Sequence, residues 1–147
     1  KSFIKHHSTY KTLILIEPTC PLRRLIDVKN AYKKYINGNY DSLWTVNKVD
    51  LSFHPDKQLK INKDKYLEFF NKKGFKITRR QMLDQTYKRN GVCYILNVKK
   101  FLKTKSLKMK KTGYFLCEYN MISIDTKLEF ELAKKKYNKR LNNKKLF

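Results

Sequence analysis

Glycine is scarce: Gly38, Gly74, Gly91 and Gly113 are the only four in 147 residues, and each stands alone. A glycine-rich loop that wraps phosphates in backbone N–H groups cannot be assembled from them. Cysteine is scarce as well. Cys20, Cys93 and Cys117 are odd in number and far apart, without a CxxC pair, which argues against a disulfide framework or a zinc site. The histidines, His6, His7 and His54, add no metal cluster. No apolar run approaches the roughly 20 residues that span a bilayer. The LILI run from Leu13 is also too short for the apolar region of a signal peptide, so no membrane association and a cytoplasmic location are expected. Acidic residues are few, 12 against 35 basic ones, and the formal net charge is +23.

Aromatic residues are plentiful at 14%, which argues against disorder, because such rings need somewhere to pack. The charge invites a nucleic-acid reading. However, only six of the basic residues are arginine (Arg23, Arg24, Arg79, Arg80, Arg89, Arg140), and the lysines are spread over the whole chain. Specific recognition of phosphate and bases favours the planar guanidinium. No specific nucleic-acid partner is expected, only salt-sensitive attraction to polyanions.

Thr12 to Ile16, TLILI, reads as a strand buried on both faces. It runs into EPTCPLRR, whose Pro18 and Pro21 exclude regular structure. Leu25, Val28, Tyr32 and Tyr35 then fall at spacings of three, four and three, an apolar stripe on a helix that NGNYD (37–41) stops. SLWTV (42–46) is the next strand. Strand, loop, helix and strand together predict a βαβ crossover in a parallel sheet, with ligands at the carboxyl ends of the strands, where 17–23 lies.

Residues 47–78 are polar and weakly periodic, and read as an excursion carrying Tyr66, Phe69, Phe70 and Phe75. GVCYILN (91–97) is a further strand, and Asn90-Gly91 at its start permits positive φ. Thr126 and Glu129 match a capping box opening a last helix, with Asp125 just outside it. Beyond Lys134 the tail KKKYNKRLNNKKLF is polar enough to be expected to fray.

LIEPTCPLR (15–23), HPDK (54–57), RQMLDQTYKRNGVCY (80–94) and SIDTKLEFELA (123–133) occur in that order. Their order and spacing resemble the acylneuraminate cytidylyltransferase family, the CMP-sialic acid synthetases. The resemblance implies an α/β fold, a partial doubly wound, Rossmann-like nucleotidyltransferase sheet. It also implies one domain over 1–147, incomplete at its N-terminus and lacking the nucleotide-binding segment, because the family's opening loop of the type PARGGSKGIPxKN has no counterpart. An inserted arm over about 50–78 would serve homodimerisation.

The implied reaction transfers CMP from CTP to a 2-keto sugar acid, with Mg2+ and release of pyrophosphate. Developing charge at the α-phosphoryl group must be met by cations and by metal held on carboxylates. By resemblance Lys57, Arg80 and Asp125 take catalytic roles, with Asp125 also holding the metal. Glu17, Thr19, Arg23, Gln81, Lys88, Asn90, Gly91 and Tyr94 line the substrate pocket.

Three departures matter. Glu17 stands where many such enzymes carry Gln, Cys20 replaces a Ser, and Ser123 replaces the first aspartate of the metal pair. A degenerate sugar-acid-binding or dimerisation module is therefore the alternative, and a basic nucleic-acid-binding module a weaker one.

Overall fold

The computed structural model describes residues 9–119 and 121–144. The reading of the first eight residues and of the last three in the tail lies outside them. The chain divides into two compact units: Lys1–Val46 with Arg89–Phe147, and Asn47–Lys88.

The first unit is built on a four-stranded mixed sheet. β1 is Thr12–Leu15, β2 Ser42–Lys48, β5 Tyr87–Asn97 and β6 Thr112–Leu116, in the order β1-β5-β2-β6. β1 pairs antiparallel with β5, Thr12 opposite Asn97 and Leu15 opposite Tyr94. β2 pairs parallel with β6, Ser42 opposite Thr112. The expectation for β1 is corrected on two counts. It pairs antiparallel with β5, so the sheet is mixed and not parallel, and it is half-buried, with Ile14 and Leu15 exposed. An edge position leaves one face and one edge uncovered, and an apolar run alone cannot reveal that.

Three helices belong to this unit among the described residues: α1 (Leu25–Asn37), α2 (Val98–Thr104) and α3 (Lys127–Lys144). α1 ends where NGNYD predicts, at Gly38, with Asn39 at φ 46°. Its buried face matches the predicted stripe only in part: Tyr35 is in the core and Val28 packs against it. Asp27, Ala31 and Tyr35 face inward, whereas Leu25 is 67% exposed and Tyr32 is exposed too. Asp27 takes the inward position because other residues pair its charge.

α3 opens with the predicted capping box. Thr126 Oγ1 and Glu129 Oε2 are 2.9 Å apart, the Glu129 N–H donates back to Thr126 Oγ1 at 3.3 Å, and the Asp125 N–H donates to Glu129 Oε2 at 3.0 Å. The fraying expected beyond Lys134 does not occur through Lys144. The helix continues, and Arg140 Nη1 donates to Leu22 O at 3.0 Å, tying its last turns to the loop before α1. The core gathers Cys20, Ala31, Tyr35, Leu43, Val92, Cys93, Ile95 and Cys117.

The second unit carries a small hairpin, β3 (Leu59–Ile61) against β4 (Leu67–Phe69), with Leu59 opposite Phe69 and Ile61 opposite Leu67. Short 3-10 turns at Pro55–Lys57, Lys72–Lys76 and Arg80–Met82 flank it. At its base the Val49 N–H donates to Thr86 O at 3.0 Å, and Gln85 Nε2 bonds both Val49 O and Thr86 O.

Candidate functional site

The first unit brings six of the sequence-predicted residues to one end of the sheet. The loop after β1 supplies Glu17, Thr19 and Arg23, and the start of β5 supplies Asn90, Gly91 and Tyr94. Gly91 has φ +69°, and a Cβ there would lie 2.5 Å from Glu17 Oε2. Glycine at this point lets the Glu17 carboxylate lie against the strand backbone. Arg23 Nη2 donates to Glu17 O, folding the loop back on itself. Burial, and after it the Glu17 carboxylate, push the Tyr94 phenol up, with Arg89 opposing. The Tyr94 ring meets Trp44 edge-on at 5.7 Å, and the Arg89 guanidinium lies 5.7 Å from the Trp44 ring centre.

Two polar groups in this cluster are buried without hydrogen-bond partners: Arg23 Nε and Asn90 Nδ2. Asn90 is only 7% exposed. Its Oδ1 accepts the Val92 N–H at 3.2 Å, while its Nδ2 acts on the weakly accepting Cys117 sulfur without reaching hydrogen-bond geometry. Orphaned buried donors cost free energy, so two in one cluster call for an explanation. Below them the three thiols are inert. Burial pushes Cys20 and Cys117 up and takes Cys93 to about 12.

Asp125 reaches this unit by a backbone tie one residue earlier, the Ile124 N–H donating to Thr19 O at 2.8 Å. Asp125 itself is exposed. Among the described residues no group of three or more His, Cys, Asp or Glu could cage a metal. A lone carboxylate still suits Mg2+, which takes one or two carboxylates and completes its shell with water and phosphate oxygens. Ser123, two residues before Asp125, offers only a hydroxyl, a weaker donor to Mg2+ than a carboxylate.

Lys57, Arg80, Gln81 and Lys88 belong to the second unit, and all four are exposed. Lys57 and Arg80 share a neighbour that the sequence did not single out, Asp50. Its carboxyl is held below the usual range by hydrogen bonds from Ser52, with the charges of Arg80 and Lys57 adding to the effect. His54 of HPDK has a structural role: it is buried, and its Nδ1 accepts the Asp56 N–H at 3.1 Å, capping the turn that presents Lys57.

The sequence reading also missed Asp27, Arg24 and Tyr119. Arg24 Nε and Nη2 each meet an Asp27 carboxylate oxygen at 2.9 Å, and the Tyr119 hydroxyl donates to the same carboxylate. Burial pushes the Asp27 carboxyl up, but the hydrogen bonds from Arg24 and Tyr119 outweigh it and hold the group below the ordinary carboxylate range. Burial and Asp27 push the Tyr119 phenol up to about 12.

These features define a mixed α/β chain with a polar cluster in the loop after an edge strand, beside the start of a glycine-bent strand. No family model matches the chain. It is similar to curated N-acylneuraminate cytidylyltransferases. It is 26% identical over 133 residues to the protein of that name from Streptococcus agalactiae serotype V, covering 88% of this chain and 31% of the relative. It is 28% identical over 137 residues to that of Escherichia coli O18:K1:H7, covering 89% of this chain and 32% of the relative. The chain thus spans about a third of the length of the curated relatives it matches. No helix among the described residues is long and apolar enough to cross a membrane.

Proposed function

We propose that this chain carries the sugar-acid side of a cytidylyltransferase site, in a protein that transfers CMP from CTP to a 2-keto sugar acid. The observation that carries the reading is the pair of buried, unpartnered donors, Arg23 Nε and Asn90 Nδ2, beside Glu17 and Gly91. A polyhydroxylated acid supplies the acceptors these donors lack, and the Glu17 carboxylate would accept from its hydroxyls. The names of the similar proteins support the same substrate class. The sheet with its helices is read as part of a doubly wound, Rossmann-like nucleotidyltransferase fold.

In this reading Asp125 would hold Mg2+ through one carboxylate, and the ion would supply positive charge to phosphate oxygens. Lys57 and Arg80 supply cationic charge toward phosphate or sugar carboxylate, Arg80 with a guanidinium able to grip two oxygens. In the first unit Thr19 would add a hydroxyl to the sugar contacts and Tyr94 a wall; Gln81 and Lys88 of the second unit are read as sugar contacts from the resemblance alone. The exposed apolar hairpin positions Leu59, Ile61 and Leu67 support a dimer arm in the second unit.

Calorimetric titration of the chain with N-acetylneuraminic acid, then with CTP and Mg2+, tests the reading. Sugar-acid binding that Asn90→Ala weakens about tenfold or more is the expected result, on the scale of one hydrogen bond to a charged or polar group. No binding of any 2-keto sugar acid would sink it. Sugar-acid binding without CTP binding favours instead a non-catalytic sugar-acid module, a reading that Ser123 in place of a metal carboxylate supports.

A further inference from the structure

The Arg24, Asp27 and Tyr119 cluster does more than begin a helix. Arg24 is the N-cap residue of α1, yet its side chain makes no cap bond and turns instead to grip Asp27 with both Nε and Nη2. A serine or aspartate would cap the helix at lower cost, and an ion pair to a half-exposed arginine is on its own weak evidence of added stability. The cluster has a third member from far along the chain. Tyr119 donates its hydroxyl to Asp27 and lays its ring under the Arg24 guanidinium, 4.0 Å from the ring centre. Each member therefore touches the other two, around a carboxylate only 4% exposed.

Tyr119 lies in the segment between β6 and α3. Five residues on, the Ile124 N–H donates to Thr19 O at 2.8 Å, and Asp125 follows. The two ties, Tyr119 on Arg24 and Asp27 and Ile124 on Thr19, fasten the segment to the loop that holds Glu17, Thr19 and Arg23. We propose that Arg24, Asp27 and Tyr119 form a latch that sets where Asp125 stands relative to loop 17–23. They are positioning residues: Tyr119 acts through Ile124, and Asp27 through Tyr119. The functional part of the proposal rests on the cytidylyltransferase reading, whereas the mechanical part does not.

Tyr119→Phe keeps the ring on Arg24 and removes only the hydroxyl. In the full chain, amide exchange followed by NMR should accelerate about tenfold or more at Ile124, the scale of one hydrogen bond to a charged group. Exchange at Gly38, whose N–H bonds Lys34 O at the far end of α1, should stay at its wild-type rate. Arg24→Lys keeps the charge and loses the fork, and should reproduce the change if Tyr119→Phe folds poorly. Unchanged exchange at Ile124, or equal acceleration at both amides, overturns the latch. In a parallel titration the variant should bind CTP with Mg2+ about tenfold more weakly while its sugar-acid affinity is unchanged. Equal losses for both ligands overturn the positioning role. A wild-type chain that binds neither ligand defeats the functional reading, and the exchange measurement still decides the latch.

Discussion

Gly91→Ala isolates the part of the candidate site where backbone and side chain meet. Gly91 sits at φ +69°, a left-handed conformation that costs an L-residue about 1–2 kcal/mol. The added Cβ would also lie 2.5 Å from Glu17 Oε2, the mobile end of a half-buried side chain that can swing away cheaply. Stability and site geometry should therefore respond differently. In urea, Gly91→Ala should lose about 1–2 kcal/mol, or roughly 2–8 °C in Tm for a chain of this size. Gly91→Asn should lose less, because asparagine tolerates this conformation better. Introducing Glu17→Ala as well should change the stability loss by no more than about 0.5 kcal/mol, the low end of coupling between residues in contact, because the carboxylate already moves aside at little cost. Sugar-acid affinity should behave in the opposite way: Gly91→Ala weakens it in the wild-type background and has no effect once Glu17 is alanine. An unchanged urea midpoint for Gly91→Ala would falsify the strained backbone. A loss of affinity that persists without Glu17 would remove the carboxylate from the site.

Acid should weaken the fold through Asp27 and Asp41, both held below the ordinary carboxylate range, Asp41 chiefly by its hydrogen bond from Lys100. A depressed folded pKa gives stability that is present above the unfolded value, about 4, and lost as pH falls through the folded one. Urea midpoints should be flat above about pH 5 and fall below about pH 4, and Asp41→Asn should flatten that fall. Tyr119 should ionise near pH 12 in an ultraviolet titration, and Tyr119→Phe should delete that phase; no phase lost near pH 12 in that variant counts against the contact with Asp27. The three thiols should resist a disulfide reagent at neutral pH in the native chain and react together in urea, since all three are buried and burial raises each pKa. Thr126→Ala should cost about 1 kcal/mol through loss of the α3 cap, read as a shift in the urea midpoint.

Local chemistry was legible in the sequence wherever a few neighbouring residues decide it. The stop after Asn37, the Thr126 and Glu129 box and the positive φ at Gly91 all follow from side chains within four positions of the event. Long-range pairing was not legible. TLILI has the composition of a central strand, but its half-exposed edge position depends on which strand lies beside it, and that strand begins at Tyr87. The α1 stripe is right at Val28 and Tyr35 but leaves out Asp27, for a similar reason. Asp27 counts as polar in any periodicity, yet it faces inward because Tyr119, 92 residues later, completes its hydrogen bonds. The tail beyond Lys134 looked too polar to hold, and Arg140 reaching Leu22 O holds it. Glu17, Thr19, Arg23, Asn90, Gly91 and Tyr94 are proposed from motif order, whereas Asp50 and Asp27 belong to no motif and stand out only through their neighbours.

The four landmarks also differ in what their letters do. In HPDK, His54 is buried and caps a turn, and the Asp56 carboxylate accepts from Asn71. Gly74 lies so close beneath that a Cβ there would fall 2.1 Å from Asp56 O. Three of those four residues thus build a turn whose product is one exposed lysine, Lys57, whose charge reaches Asp50. In EPTCPLR the balance is reversed. Cys20 and Leu22 are core, while Glu17, Thr19 and Arg23 turn toward Gly91 and the Ile124 tie, and Arg23 Nε is left without a partner. A motif made of scaffold letters can lose its chemistry and still fold. A motif that buries an unsatisfied guanidinium nitrogen pays for it in every molecule that binds nothing. That standing cost is the strongest physical reason to place a ligand against loop 17–23, and it makes Arg23 and Asn90 more informative about function than Lys57.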